Sequence, residues 1–224
     1  MGTEPQAAGK VAHSAAGSCI NGAGGTRSQD SAKRSIQFEN KNGQDSALRD
    51  YFVSSLLNKN PSWRKMFGTI DPEMRMRDME FILRFLTMHS IDFGKMKRKS
   101  ISLKRELNLF MGNKHNNTAA EISKSKALFA DTIEKVYSSL GPSAFQNVSP
   151  TTKLSLVPKF NPTIFDSIML AMTGAALVKG KDLNEKRMKL LADKSYQESI
   201  KIRTTNVDHI VRRVNLAKRY LLKG

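Results

Sequence analysis

The chain has 224 residues, is 39% apolar with 7% aromatics, and carries a formal net charge of +17. The apolar share is enough for one folded core beside a tail, and no apolar run approaches the roughly 18 residues of a transmembrane helix. A single cysteine, Cys19, excludes an internal disulfide framework and a cysteine-based zinc cluster. With no charged-then-apolar signal pattern at the start, a cytoplasmic, reducing compartment and no membrane partner are expected.

The charge is uneven. Residues 1–47 hold five Lys/Arg and four Asp/Glu, so +16 of the +17 falls on residues 48–224. Cationic excess on the folded part points to a polyanionic partner, DNA first. Residues 1–47 are rich in Gly, Ala, Ser, Gln and Asn, and their isolated apolar residues follow no period, so a disordered tail is predicted. Gly22, Gly24 and Gly25 follow no strand and precede no Gly-Lys-Ser/Thr, which argues against a phosphate loop. His13 and Cys19 are too sparse for a metal site.

A first helix is predicted from about Ser46 to Asn58, burying Leu48, Phe52 and Leu56. Pro61 opens a short helix around Trp63, the only tryptophan, which serves as a core anchor rather than a base-stacking platform. Gly68 ends that helix. Asp71 as N-cap, Pro72 at the first helical position and Glu73 then predict a long helix with Met76, Met79, Ile82, Leu83 and Leu86 on its apolar stripe. Asp78 and Glu80 are two apart and do not face one another, so ion pairs with Arg77 or Arg84 are expected instead of metal ligation. The stretch Asn60–Ser90 is the expected centre of the fold, and the core is expected to be aliphatic and Met-rich.

Gly94 marks a loop into a helix at about 101–111, burying Leu103, Leu107, Phe110 and Met111. Thr118 and Glu121 have capping-box spacing for the next helix, which carries Ile122, Phe129, Ile133, Val136 and Leu140 and ends at Gly141-Pro142. Residues 146–160 read as an irregular connection. Asn161-Pro162 caps a helix with Ile164, Phe165, Ile168, Met169, Met172 and Ala176 inward. Asp182 and Glu185 make a second capping box, and a shorter helix covers 194–202. Thr205 or Asn206 caps the last helix, with Val207, Ile210, Val211, Val214, Ala217 and Leu221 on one side. No strand pair is predicted. The fold class is all-α, a bundle of about seven to eight helices over 48–224.

Two cationic groups stand out. Lys95, Lys97, Arg98, Lys99, Lys104 and Arg105 lie close together with no acid among them, and Arg203, Arg212 and Arg213, followed by Lys218 and Arg219, lie near the C-terminus. Such side chains on loops and helix ends suit DNA phosphates; the alternative is a solvated cationic face. Asp208-His209 has the look of the first histidine of an HNH nuclease, but no downstream Asn and His complete the set, so His209 reads as a helix-surface residue. No catalytic, metal-binding or cofactor-binding residue is assigned.

Four blocks carry a family resemblance: LNKNPSWRKMFG at 57–68, RMRDMEFILRFLTM at 75–88, VYSSLGPSAFQ with KFNPTIFDSIM at 136–146 and 159–169, and SYQESIKIRTTNVDHIVRRV at 195–214. In this order they resemble the C-terminal helical part of the N-terminal domain of GmrSD-type restriction endonucleases, a ParB-nuclease-like family. The resemblance implies a helical module of a restriction or phage-defence protein. The Asp-Gly-Gln-Gln-Arg motif of the ParB-like β-rich half does not occur here, and no HNH domain follows. The resemblance therefore implies a module without the usual active centre: a truncated remnant, a retained binding module, or a chain that docks with a separately encoded ParB-like partner.

Overall fold

A computed structural model of the chain describes residues 57–152, 155–176 and 182–222. The low-complexity tail and all but the last residues of the helix expected over 46–58 lie outside the described residues. Helix α1 (Pro61–Phe67) begins where Asn60 Oδ1 accepts from the Trp63 amide at 3.0 Å, with Pro61 in the first turn, and closes at Gly68, whose φ of 90° suits glycine. Helix α2 (Arg77–Ser90) starts later than the Asp71-Pro72 pair suggests. Asp71 does not cap it. The Asp71 carbonyl accepts from Arg64 Nη2, and the Asp78 carboxylate accepts from the Glu73 and Met79 amides at 2.8 and 2.9 Å. These tertiary bonds hold 69–76 as an irregular loop, leaving Met76 exposed while Phe85 and Met88 join Ile82, Leu83 and Leu86 inside.

Helix α3 (Leu103–Gly112) and the long α4 (Ala119–Leu140) follow a three-residue 3-10 turn at Phe93–Lys95 and the expected polar run around His115. Thr118 Oγ1 accepts from the Glu121 amide at 3.3 Å, one half of the capping box; the Glu121 carboxylate meets Lys124 instead. The 146–160 connection is not wholly irregular. Its two ends pair as antiparallel strands β1 (Gln146–Val148) and β2 (Leu156–Phe160), with Gln146 opposite Phe160, Val148 opposite Leu156, and a bulge between. No alternation marks these strands because tertiary contacts hold them. The Phe160 ring packs 4.7 Å from Phe81 and 5.2 Å from Phe67, and Phe145 packs 5.0 Å from Phe165.

Helix α5 (Pro162–Met172) is capped by Asn161 and buries Thr163 through Met169, Ala171 and Met172, so it is covered on every side. The centre of the domain is therefore α5 rather than the Trp63 stretch, and Ala176 lies outside the helix. Helices α6 (Leu183–Ala192), α7 (Lys194–Lys201) and α8 (Val207–Leu222) complete the bundle, with α8 lying along α5 and α7. Asp182 makes no side-chain cap; it pairs with Lys186 at 3.1 Å. The core is also less aliphatic than the composition suggests. Trp63 is fully buried among Phe67, Phe129, Phe160 and Phe165, with centroids 5.1–6.0 Å away. These rings form one cluster, where edge-to-face contacts reinforce burial. The all-α class stands, with the hairpin as its one addition among the described residues. No helix among them is long and apolar enough to cross a membrane.

Candidate nucleic-acid interface

Burial decides which cations can meet a partner. Lys97, Arg98 and Lys99 lie on the exposed loop between the Phe93 turn and α3, and Lys104 and Arg105 are exposed in the first turn of α3. Positive charge at a helix N-terminus works against the macrodipole, so Lys104 and Arg105 give no local benefit there. Arg203 and Arg212 are exposed near the start of α8. Backbone bonds join these two regions. The Ile101 amide donates to the Thr205 carbonyl and the Val207 amide to the Lys99 carbonyl, each at 2.9 Å, around a bridge between Ser100 and Asn206. Met88, Ile101, Val207 and Ile210 form a buried apolar cluster, with Met96 packed against it. Two cationic stretches far apart in sequence are thus brought side by side.

Several of the cations already have anionic neighbours. Arg98 Nη1 lies 2.9 Å from Glu106, Lys95 lies 3.1 Å from Asp92, and Arg212 lies 3.9 Å from Glu198. Among the described residues, Lys97, Lys99, Lys104, Arg105 and Arg203 make no ion pair. Arg203 also holds a φ of 48°, in the left-handed region. It follows the end of α7 at the place where glycine is usual, so its side chain is kept there against a backbone penalty.

Arg213 is a correction. It is 0% exposed, with Nη1 donating to the carbonyls of Ser199 and Thr204 at 3.3 and 2.8 Å and Nη2 3.5 Å from Asp166. No phosphate on the surface reaches it. Desolvation lowers its pKa, against the attraction of Asp166. Asp166 is shared with Arg84, whose Nε and Nη2 donate to its two oxygens at 2.7 and 2.5 Å. The Asp78 pairings expected from sequence are likewise replaced. Asp78 meets Arg64 at 2.7 Å, Arg84 meets Asp166, and Arg77 meets Glu73.

A sequence signal for these buried ions existed. Arg213 lies between Ile210 and Ala217 on the buried stripe of α8, and Asp78 lies one turn before Ile82 on that of α2. A charge on an apolar stripe needs a buried counter-charge, and that rule would have removed Arg213 from the surface set. His209 sits on the surface of α8, with Nδ1 2.9 Å from the Ile202 carbonyl. Among the described residues no group of three or more His, Cys, Asp or Glu could hold a metal ion. No family model, curated protein or solved structure matches the chain.

Proposed function

We propose that this domain is the helical module of a ParB-related, GmrSD-like defence protein that works in the cytoplasm and holds DNA by its phosphates. The pairing of Lys99–Ile101 with Thr205–Val207 carries the reading, because it brings two cationic stretches side by side and leaves five of their charges unpaired. Contacts of this kind position a protein on the duplex without reading its sequence. Cleavage chemistry, on this reading, belongs to a ParB-like chain and not to the module.

The test is an anisotropy titration with duplex DNA over a salt series. If all five free cations meet phosphates, log K falls linearly with log salt at a slope of about −4 to −5. Lys97→Glu with Lys99→Glu should lower affinity at least about tenfold on duplexes of any sequence and flatten the slope. Arg203→Gly should flatten the slope by about 1 and, by relieving the left-handed backbone, leave stability unchanged or raised by about 1 kcal/mol. Absence of binding at low salt removes the reading.

One observation favours a second reading, docking with a ParB-like partner chain. Ile70 and Met74 are 90% and 99% exposed on a loop that Arg64 holds in place. Large apolar side chains on a rigid loop suit a protein interface. A chain bearing the Asp-Gly-Gln-Gln-Arg motif should co-elute with the wild-type domain and not with Ile70→Ser/Met74→Ser. Co-elution that survives both substitutions excludes this loop.

A further inference from the structure

Behind the cationic loop lies a cleft of about 310 Å³ between the end of α2, the Phe93 turn, the end of α5 and α8. Phe93, Leu170 and Val214 form apolar walls, all half-buried, and His89, Asn215 and Lys218 stand at the lip. Among the described residues, Asn215 and Lys218 have no side-chain hydrogen-bond or ion-pair partner. The amide offers donors and an acceptor, and the ammonium offers donors. Partial desolvation lowers the pKa of His89, which favours the neutral imidazole, a form that can both donate and accept.

The cleft is continuous with the cationic face. Phe93, Ile210 and Val211 line it and also belong to the apolar cluster that seats Met96 and Ile101. Lys95 and Lys97 thus emerge from the same short segment that supplies the Phe93 wall. An aromatic and aliphatic slot with a few free polar groups, beside a row of cations, is the arrangement that binds bases and phosphates of one strand together. A paired base is covered on both faces by its neighbours and does not fit such a slot.

We propose that this cleft takes an unpaired base of a single-stranded nucleic acid whose phosphates lie on the adjoining cationic face. The proposal rests on the reading of that face as phosphate-binding. It deepens it by assigning a preference for single strands and a place where the base is held.

The experiment compares an oligothymidine with an abasic oligonucleotide of the same length, which keeps the phosphates and lacks the bases. Anisotropy competition is run over a salt series, on wild type and on Asn215→Leu. Asn215 is exposed at the lip, so a branched aliphatic side chain there obstructs the cleft without entering the core and adds no aromatic face for a base to stack on. Wild type should prefer the base-bearing strand by about tenfold, the scale of stacking one base. In Asn215→Leu the preference should fall to within about twofold, with the salt slope unchanged. Lys218→Met, which keeps the stem and removes the donor, should reduce the preference in part. Equal binding of the two wild-type competitors overturns the cleft assignment while the phosphate reading stands. A preference that survives Asn215→Leu also overturns it, since the bases are then held elsewhere. No binding of either strand at low salt sinks both readings.

Discussion

Replacing Asp166 by Asn should destabilise the domain by about 3–5 kcal/mol, the usual result of removing one partner from a buried ion cluster. Asp166 is 1% exposed and is approached by Arg84 on one side and Arg213 on the other. Its carboxylate is the only acid within ion-pair distance of either guanidinium among the described residues. Without that charge, Arg213 keeps two carbonyl acceptors, while Arg84 exchanges two carboxylate oxygens for one neutral amide oxygen and faces an NH2 donor with its other nitrogen. Urea unfolding followed by Trp63 fluorescence reads the effect, because Trp63 is the single tryptophan and is fully buried. At a typical m-value the midpoint should drop by about 1.5–3 M. The triple variant Arg84→Met/Asp166→Leu/Arg213→Met should recover much of the loss, since apolar residues of similar volume often replace a buried ion cluster without penalty. A midpoint within about 0.3 M of wild type for Asp166→Asn would show that the cluster is not needed to neutralise α8.

The second large effect is expected at Arg64. Nε donates to the carbonyls of Thr69 and Ile70 at 3.0 and 3.2 Å, and Nη1 donates to Asn58 and Asp78 at 2.8 and 2.7 Å. Nη2 donates to Thr69 Oγ1 and to the Asp71 carbonyl. One guanidinium therefore fastens residues 69–71 of the loop to α1 and, through Asp78, to α2. Asn58 ties the node to the core, accepting from Trp63 Nε1 at 2.9 Å and donating to Asp78 at 2.9 Å.

A lysine lacks the planar fork that makes these bonds at once. Arg64→Lys should cost about 3 kcal/mol by urea unfolding and make trypsin cleave at Arg75 faster than in wild type. Arg77→Lys, in an exposed pair with Glu73, should leave both readouts as they are. Acid should weaken the same node. Burial pushes the Asp78 carboxyl up, but bonds from the Glu73 amide, Asn58, Arg64 and the Met79 amide outweigh it and leave the pKa below its ordinary value. Its contribution is thus complete above the usual carboxylate range and is lost as pH falls through the depressed pKa. Arg64→Lys should show a shallower loss of stability across that acid window than wild type.

What could be read along the chain was set by nearest neighbours. Asn60-Pro61, Thr118, Asn161-Pro162 and Asn206 mark helix starts because their side-chain and backbone chemistry acts within one turn. The apolar steps of α4, α5 and α8 follow the helix period and lead to the same buried faces. Local rules failed at Asp71-Pro72, a good helix start that α2 does not use. There Arg64 and Asp78 reach across the fold and take the backbone groups that a cap would have satisfied.

The cationic candidates divide in the same way. The sequence by itself determined the all-α class, most helix starts, the concentration of positive charge on residues 48–224, and the burial of Trp63. Only the tertiary structure decided that the Lys99–Ile101 backbone pairs with Thr205–Val207, that Arg213 turns inward to Asp166, and that β1 and β2 pair. The physical reason is range. Caps and periodicity are set within about a turn of helix, whereas a counter-ion, a strand partner or a neighbouring loop is supplied by residues distant in sequence.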